Sequence, residues 1–138
     1  MKPDSIRKFD ILYWASVLVG IGGALLVWDE SVALVNAEMA ASGIEDMGAA
    51  AMIGSLAFSL LISGVLWMLI SVMRVEVVKW VLAIFLAWGA ISLVMQMAVT
   101  PLTSMITGIA STVFSLAALY FLFQPDAKEW FAEKRNRK

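Results

Sequence analysis

Residues 80–125 run for 46 positions without one charged side chain, and this run limits the possible folds more than any other feature. An apolar helix crosses the hydrocarbon of a bilayer in about 20 residues. Forty-six residues is about twice that length, so the run must turn back once. The turn falls at Val99-Thr100-Pro101. Thr100 can cap a helix start, and Pro101 suits the first helical position, where the missing N–H leaves nothing unpaired. Two further uncharged runs, the 18 residues of 11–28 and the 27 of 47–73, are each long enough to cross once. Spans are therefore expected near 11–28, 47–73, 80–99 and 101–123. The expected fold is all-α and polytopic: one domain over 1–138, a four-transmembrane-helix antiparallel bundle.

Composition agrees. Of 138 residues, 62% are apolar and 15% charged, against about 45–50% and 25% in soluble domains. A soluble domain this small keeps too much of its surface in water to hide that excess, which must face lipid. The chain has no Cys and no His. Disulfides, thiolate nucleophiles, Cys-ligated metals, His-ligated haem and imidazole bases are thereby excluded. No Asp, Glu, Lys or Arg falls inside a span, so the buried ionisable group that marks most pumps and antiporters is missing. An activity like that of the small multidrug resistance family is not expected. The one long polar side chain within a span is Gln96, read as an interhelical hydrogen-bonding residue.

The connections predict neighbours. Residues 74–79 and 99–101 are short links, so the second, third and fourth spans should pack sequentially. The first link, 29–46, is longer. Ser31 can start a short helix with Val32, Val35 and Met39 on one face, lying on the membrane surface. Gly43 suits its C-terminal cap, and Ser42 with Glu45 reads as a capping box for the second span.

Charge sets the orientation. The ten basic residues are Lys2, Arg7 and Lys8, then Arg74 and Lys79, then Lys128, Lys134, Arg135, Arg137 and Lys138. By the positive-inside rule, both termini are cytoplasmic and the 29–46 loop is outside. The first span lacks a clean small-x-small cleavage site and is expected to be retained.

Small residues mark the packing faces. The second span carries Ala51, Ser55, Ser59 and Ser63 at every fourth position; the fourth carries Thr103, Thr107, Ser111 and Ser115 likewise. Residues four apart share one side of a helix, so these are continuous ridges. Ser55, Ser59, Ser63, Thr107, Ser111 and Ser115 are candidates for helix packing or partner docking, or for lining a path for a small solute. Trp14, Trp28, Trp80 and Trp130 are placed as interfacial anchors, while Trp67 and Trp88 are expected deeper. Met52, Met68, Met95, Met97 and Met105 offer an adaptable apolar surface for a partner helix. Asp29, Glu30, Glu45 and Asp46 flank one loop and form the one cluster that could hold a divalent cation or meet a basic partner. Capping and helix-dipole roles explain them equally, and no metal or cofactor is assigned. The tail 124–138 reads as an amphipathic cytoplasmic segment with Trp130 and Phe131 in the interface, too weakly basic for nucleic acid.

Leu12-Tyr13-Trp14-Ala15-Ser16 with Gly20, and Leu122-Phe123-Gln124-Pro125 with Trp130-Phe131, resemble the ends of small, uncharacterised four-span bacterial inner-membrane proteins. That resemblance covers about a third of the chain and implies a bacterial inner-membrane location; it carries no functional residues. The expected function is noncatalytic: an accessory or scaffold subunit, or an assembly factor, of a larger membrane complex. Its partners would be the bilayer and another integral membrane protein or further copies of itself. Ser59→Leu or Ser111→Leu should then disrupt docking. The alternative is a homo-oligomeric channel or facilitator for a small solute or ion. An enzyme is not expected, since no nucleophile–base pair is present.

Overall fold

The computed structural model describes residues 2–43, 46–96 and 102–136. It is all-α, 88% helical and without strands among the described residues. Six helices follow in order: α1 (Asp4–Leu26), α2 (Trp28–Ala40), α3 (Gly48–Trp67), α4 (Val78–Gln96), α5 (Leu102–Leu122) and α6 (Pro125–Asn136). A π-helical turn, Met68–Val72, extends α3 without a break. Four helices are long and apolar enough to cross a membrane: α1, α3 with its π turn, α4 and α5. The chain is thus a multi-pass membrane protein built as a helical bundle.

The helices differ from the charge-free runs at their ends. α1 starts at Asp4, seven residues before the first uncharged run, because Ile6 and Phe9 are fully buried and draw the charged turn between them into the packed structure. It stops at Leu26, and a single residue, Val27 (φ −114°, ψ 26°), separates it from α2. α2 therefore begins at Trp28 rather than Ser31. Its inward face does carry Val32, Val35 and Met39, each half-buried. Gly43 adopts φ 79°, the left-handed geometry a helix exit favours. Ser42 does not stand at a helix start: α3 begins at Gly48, whose N–H donates to Asn36 Oδ1 of α2 at 2.7 Å. A carboxamide from the preceding helix thus takes the capping role; Glu45 lies outside the described residues. The Val99-Thr100-Pro101 turn also lies outside them.

The packing order departs from chain order. α1 lies along α5 for most of its length, where small residues let the two backbones approach closely. A Cβ on Gly23 would collide with the Thr107 side chain, and one on Gly20 would stand 3.6 Å from Ser111 Oγ. Ser111 Oγ donates to the Ser16 carbonyl at 2.9 Å, adding an interhelical hydrogen bond. α4 packs on the far side of α5, with Leu93 filling the space beside Gly108. α3 meets α1 mainly at one end, where Tyr13 Oη donates to the Ser63 carbonyl at 2.9 Å and Trp67 Nε1 donates to Asp10 at 2.9 Å. Among the described residues α3 and α4 scarcely touch, although only five residues join the π turn to α4. The expectation that the second and third spans pack together is therefore corrected. The π turn and Arg74, at φ 53°, redirect the chain so that the two helices diverge from their link.

The core sits at one end. Ile6, Phe9, Tyr13, Ile70, Leu122 and Phe131 are buried together with Ala118, Ala127 and Trp130. Several charged groups beside this plug are paired. Lys2 meets Asp10 at 3.0 Å and Ser71 Oγ at 2.6 Å. Lys79, only 4% exposed, meets Glu76 at 2.8 Å with its ammonium over Phe123. The α6 helix is fastened by Asp126, which accepts from Ser5 N (3.2 Å) and Ser5 Oγ (2.7 Å). This satisfies an N–H in the first turn of α1 that has no partner within its own helix.

Candidate functional site

The order α3–α1–α5–α4 is an arc rather than a closed ring, and its gap leaves a cleft between α3 and α4. α1 and α5 form the floor: Tyr13, Ser16 and Gly20 from one, Ser111 and Ser115 from the other. α3 supplies one wall through Ser59, Ser63 and Leu66, and α4 the other through Leu82 and Phe85. Phe58 and Phe85, 66% and 57% exposed, stand on opposite sides. The cleft measures about 580 Å³. A second cavity of about 420 Å³ lies toward the α1–α2 junction, lined by Gly23, Val27, Ser31, Thr107, Gly108 and Thr112. Gly20 and Ser111 border both, so the two meet there.

The small-residue ridges take different places. The α5 ridge is used within the chain: Thr107 lies under Gly23, Ser111 bonds the Ser16 carbonyl, and Ser115 faces the cleft. The α3 ridge is only partly used. The Ser63 carbonyl accepts from Tyr13, and Ser59 stands open on the cleft wall. Ser55 is exposed and donates to its own helix at Met52 O. The structure therefore gathers Ser59, Ser63, Ser111 and Ser115 around one cavity and leaves Ser55 and Thr107 outside the cleft. The side chain of Gln96 lies outside the described part of the structure. Tyr13, Ser16 and Gly20, which complete the floor, were not singled out from the sequence as site residues. The signal was present: Ser16, Gly20 and Gly23 form a small-residue face on α1 that matches the α5 ridge.

Several aromatic side chains depart from their expected positions. Trp130, expected to face the interface, packs instead against the chain itself: it is 5% exposed, edge-on to Phe131, with the Arg74 guanidinium 4.4 Å above its ring. The reason is α6, which folds back over the bundle's basic end and turns Trp130 and Phe131 inward. Trp67 is not deep in a span. It reaches the charged end, donates to Asp10 and packs against Trp14 at 5.9 Å. Trp14 and Trp28 are half-buried, and Trp80 is exposed beside Phe123. Trp88 and Met95, 72% and 78% exposed, face outward.

Among the described residues the acidic loop does not gather into a cluster. Asp29 and Glu30 lie exposed in the first turn of α2, where the helix dipole favours negative charge. Asp46 is exposed at φ 56° before α3, and Glu45 lies outside the described residues. No three carboxylates gather among the described residues. At the other end, the hydrogen bond from Ser5 Oγ holds the Asp126 carboxyl below its ordinary pKa. Asp126 is thus a structural anion.

No family model, curated protein or solved structure matches the chain. Three features of the geometry bear on function: a packed basic end, an open cleft among the apolar helices, and the low burial of α3.

Proposed function

We propose that the protein is a noncatalytic accessory or scaffold subunit, or an assembly factor, that docks a larger integral membrane protein through α3. The carrying observation is the exposure of that helix. Within its most apolar stretch only 6% of residues are buried, the lowest of the four spans, against 11% in α4 and α5 and 22% in α1. Yet α3 is built like a packed helix. Gly54, Ala57 and Gly64 fall on the face turned away from α1, and a Cβ added at Gly54 or Gly64 would meet nothing within 4 Å. Small residues gain no close approach against fluid lipid, whereas they allow one against a second helix.

Several features support the rest of the reading. The placing of the ten basic residues, at the two chain ends and between the second and third spans, supports an antiparallel bundle with both termini cytoplasmic. The weak resemblance of the chain ends favours the bacterial inner membrane. The same geometry speaks against a conduit within one chain: the two joined cavities would favour one, but Phe9, Tyr13, Ile70 and Leu122 fill the basic end.

The test is Gly54→Leu, carried by a tagged chain in its native membrane. The side chain would project into open space, so the fold should persist while co-purification of the partner is lost. Ser111→Leu is a poor probe, because Ser111 is used inside the chain. Undiminished recovery of the partner with Gly54→Leu would overturn this placement. Proteoliposomes of the pure protein are expected to carry no flux of small neutral solutes; flux sensitive to Ser59→Leu would restore the channel alternative.

A further inference from the structure

We infer that the cleft and the smaller cavity beside it form one binding site for a neutral, hydroxyl-bearing, single-chain amphiphile taken from the bilayer. Its head occupies the vestibule at the α1–α2 junction, and its chain lies in the cleft between α3 and α4. This site is separate from the docking face, which lies on the opposite side of α3.

Size selects the kind of occupant. The cleft, at about 580 Å³, is open along one side, so a neighbouring helix can lodge side chains in it but not its whole body. Both cavities fall within the roughly 300–1,000 Å³ of small-molecule sites. Val27 and Tyr13 border opposite ends of the joined space. They are 14 positions apart on α1, about 21 Å at 1.5 Å per residue, against a hydrocarbon core of about 30 Å. That depth suits one extended acyl chain entering from one leaflet.

Polarity orients it. The cleft is the more apolar of the two cavities, because Leu56, Leu66, Leu82 and Phe85 outweigh its hydroxyls, and an acyl chain moving there from lipid changes its surroundings little. The vestibule wall is hydroxylic, and the hydroxyls of Thr107, Ser111 and Thr112 are turned to backbone carbonyls. Thr107 Oγ1 donates to Thr103 O and Ser104 O, Thr112 Oγ1 to Gly108 O, and Ser111 Oγ to Ser16 O. Each hydroxyl oxygen keeps acceptor capacity, so the wall receives hydrogen bonds from a ligand that donates. A glycerol-like hydroxyl does so; a deprotonated phosphate or carboxylate does not. Charge points the same way. The described basic side chains sit at the far end, and the nearest helix start carries Asp29 and Glu30. An anionic head would find no counter-charge, and an unpaired cation would be costly at this depth.

The experiment reconstitutes the full chain in phosphatidylcholine vesicles with one of two photoactivatable probes sharing the same tail, a monoacylglycerol or a lysophosphatidic acid. Labelled residues are mapped by mass spectrometry. The monoacylglycerol should label the cleft walls, residues 59–66 and 82–85, about fivefold more than the anionic probe, a difference of about 1 kcal/mol. Excess unlabelled monoacylglycerol should suppress that labelling. Gly20→Leu, which fills the junction of the two cavities, should reduce it, and Gly54→Leu on the opposite face should not. Equal labelling by both probes, or labelling spread over the outward helix faces and insensitive to competition, would overturn the inference. The wild-type competition decides the matter even if Gly20→Leu fails to fold.

Discussion

Trp130 is the residue where packing and polarity conflict. Its ring is almost wholly enclosed between Phe131 and the Arg74 guanidinium, yet its buried indole N–H has no hydrogen-bond partner among the described residues. An unsatisfied buried donor costs about 1–3 kcal/mol. Trp130→Phe removes that donor and keeps most of the ring, so its stability should stay within about 1 kcal/mol of wild type. Trp130→Ala should lose about 3–5 kcal/mol. Unfolding of the detergent-solubilised protein measures both, and equal losses would show that the whole indole is needed. Asp126 makes the opposite case, a carboxylate satisfied by another helix. Its folded pKa lies below the unfolded value because Ser5 donates to its charged form. The stabilisation is therefore complete above the unfolded pKa, about 3.9, and is lost as pH falls through the lower folded value. Acidification from about pH 5 to 3 should narrow the stability gap between wild type and Asp126→Asn. A gap that does not change with pH would remove the carboxylate from this role.

At the scale of elements, the uncharged runs made four spans legible, because a helix in lipid must be apolar for its full crossing. The ends were less legible. Charge-free runs report where hydrocarbon begins, whereas α1 continues through Arg7, Lys8 and Asp10 on the strength of Ile6 and Phe9 packing. Neighbour order was not legible from loop length. The short link after α3 implied contact with α4, but the π turn and the left-handed Arg74 send α4 elsewhere. The better guide was side-chain size, since Ser16, Gly20 and Gly23 on α1 complement Thr107, Ser111 and Ser115 on α5. The same ridge pattern on α3 did not reveal that Ser59 faces a cleft, because a small residue looks alike beside a helix and beside a gap. The chain has no native Cys, which makes paired Cys substitutions clean reporters of this order. Gly20→Cys with Ser111→Cys should form a disulfide in membranes, since a Cβ at Gly20 lies 3.6 Å from Ser111 Oγ. Ser59→Cys with Phe85→Cys, across the cleft, should not. Efficient bridging of the second pair would close the arc.

The whole molecule has two unlike ends. The basic end is a packed plug tied by ion pairs and by Asp126, while the rest is a sparse arc with a cleft on one side of α3 and open glycines on the other. The proposed docking covers the outer face of α3 with another membrane protein. Native mass spectrometry of the tagged protein, gently extracted from its own membrane, puts that docking to the test. The expected species is a fixed-ratio complex with a protein of different sequence, reduced to the free chain by Gly54→Leu. A wild-type protein recovered only as a monomer or a homo-oligomer would contradict it.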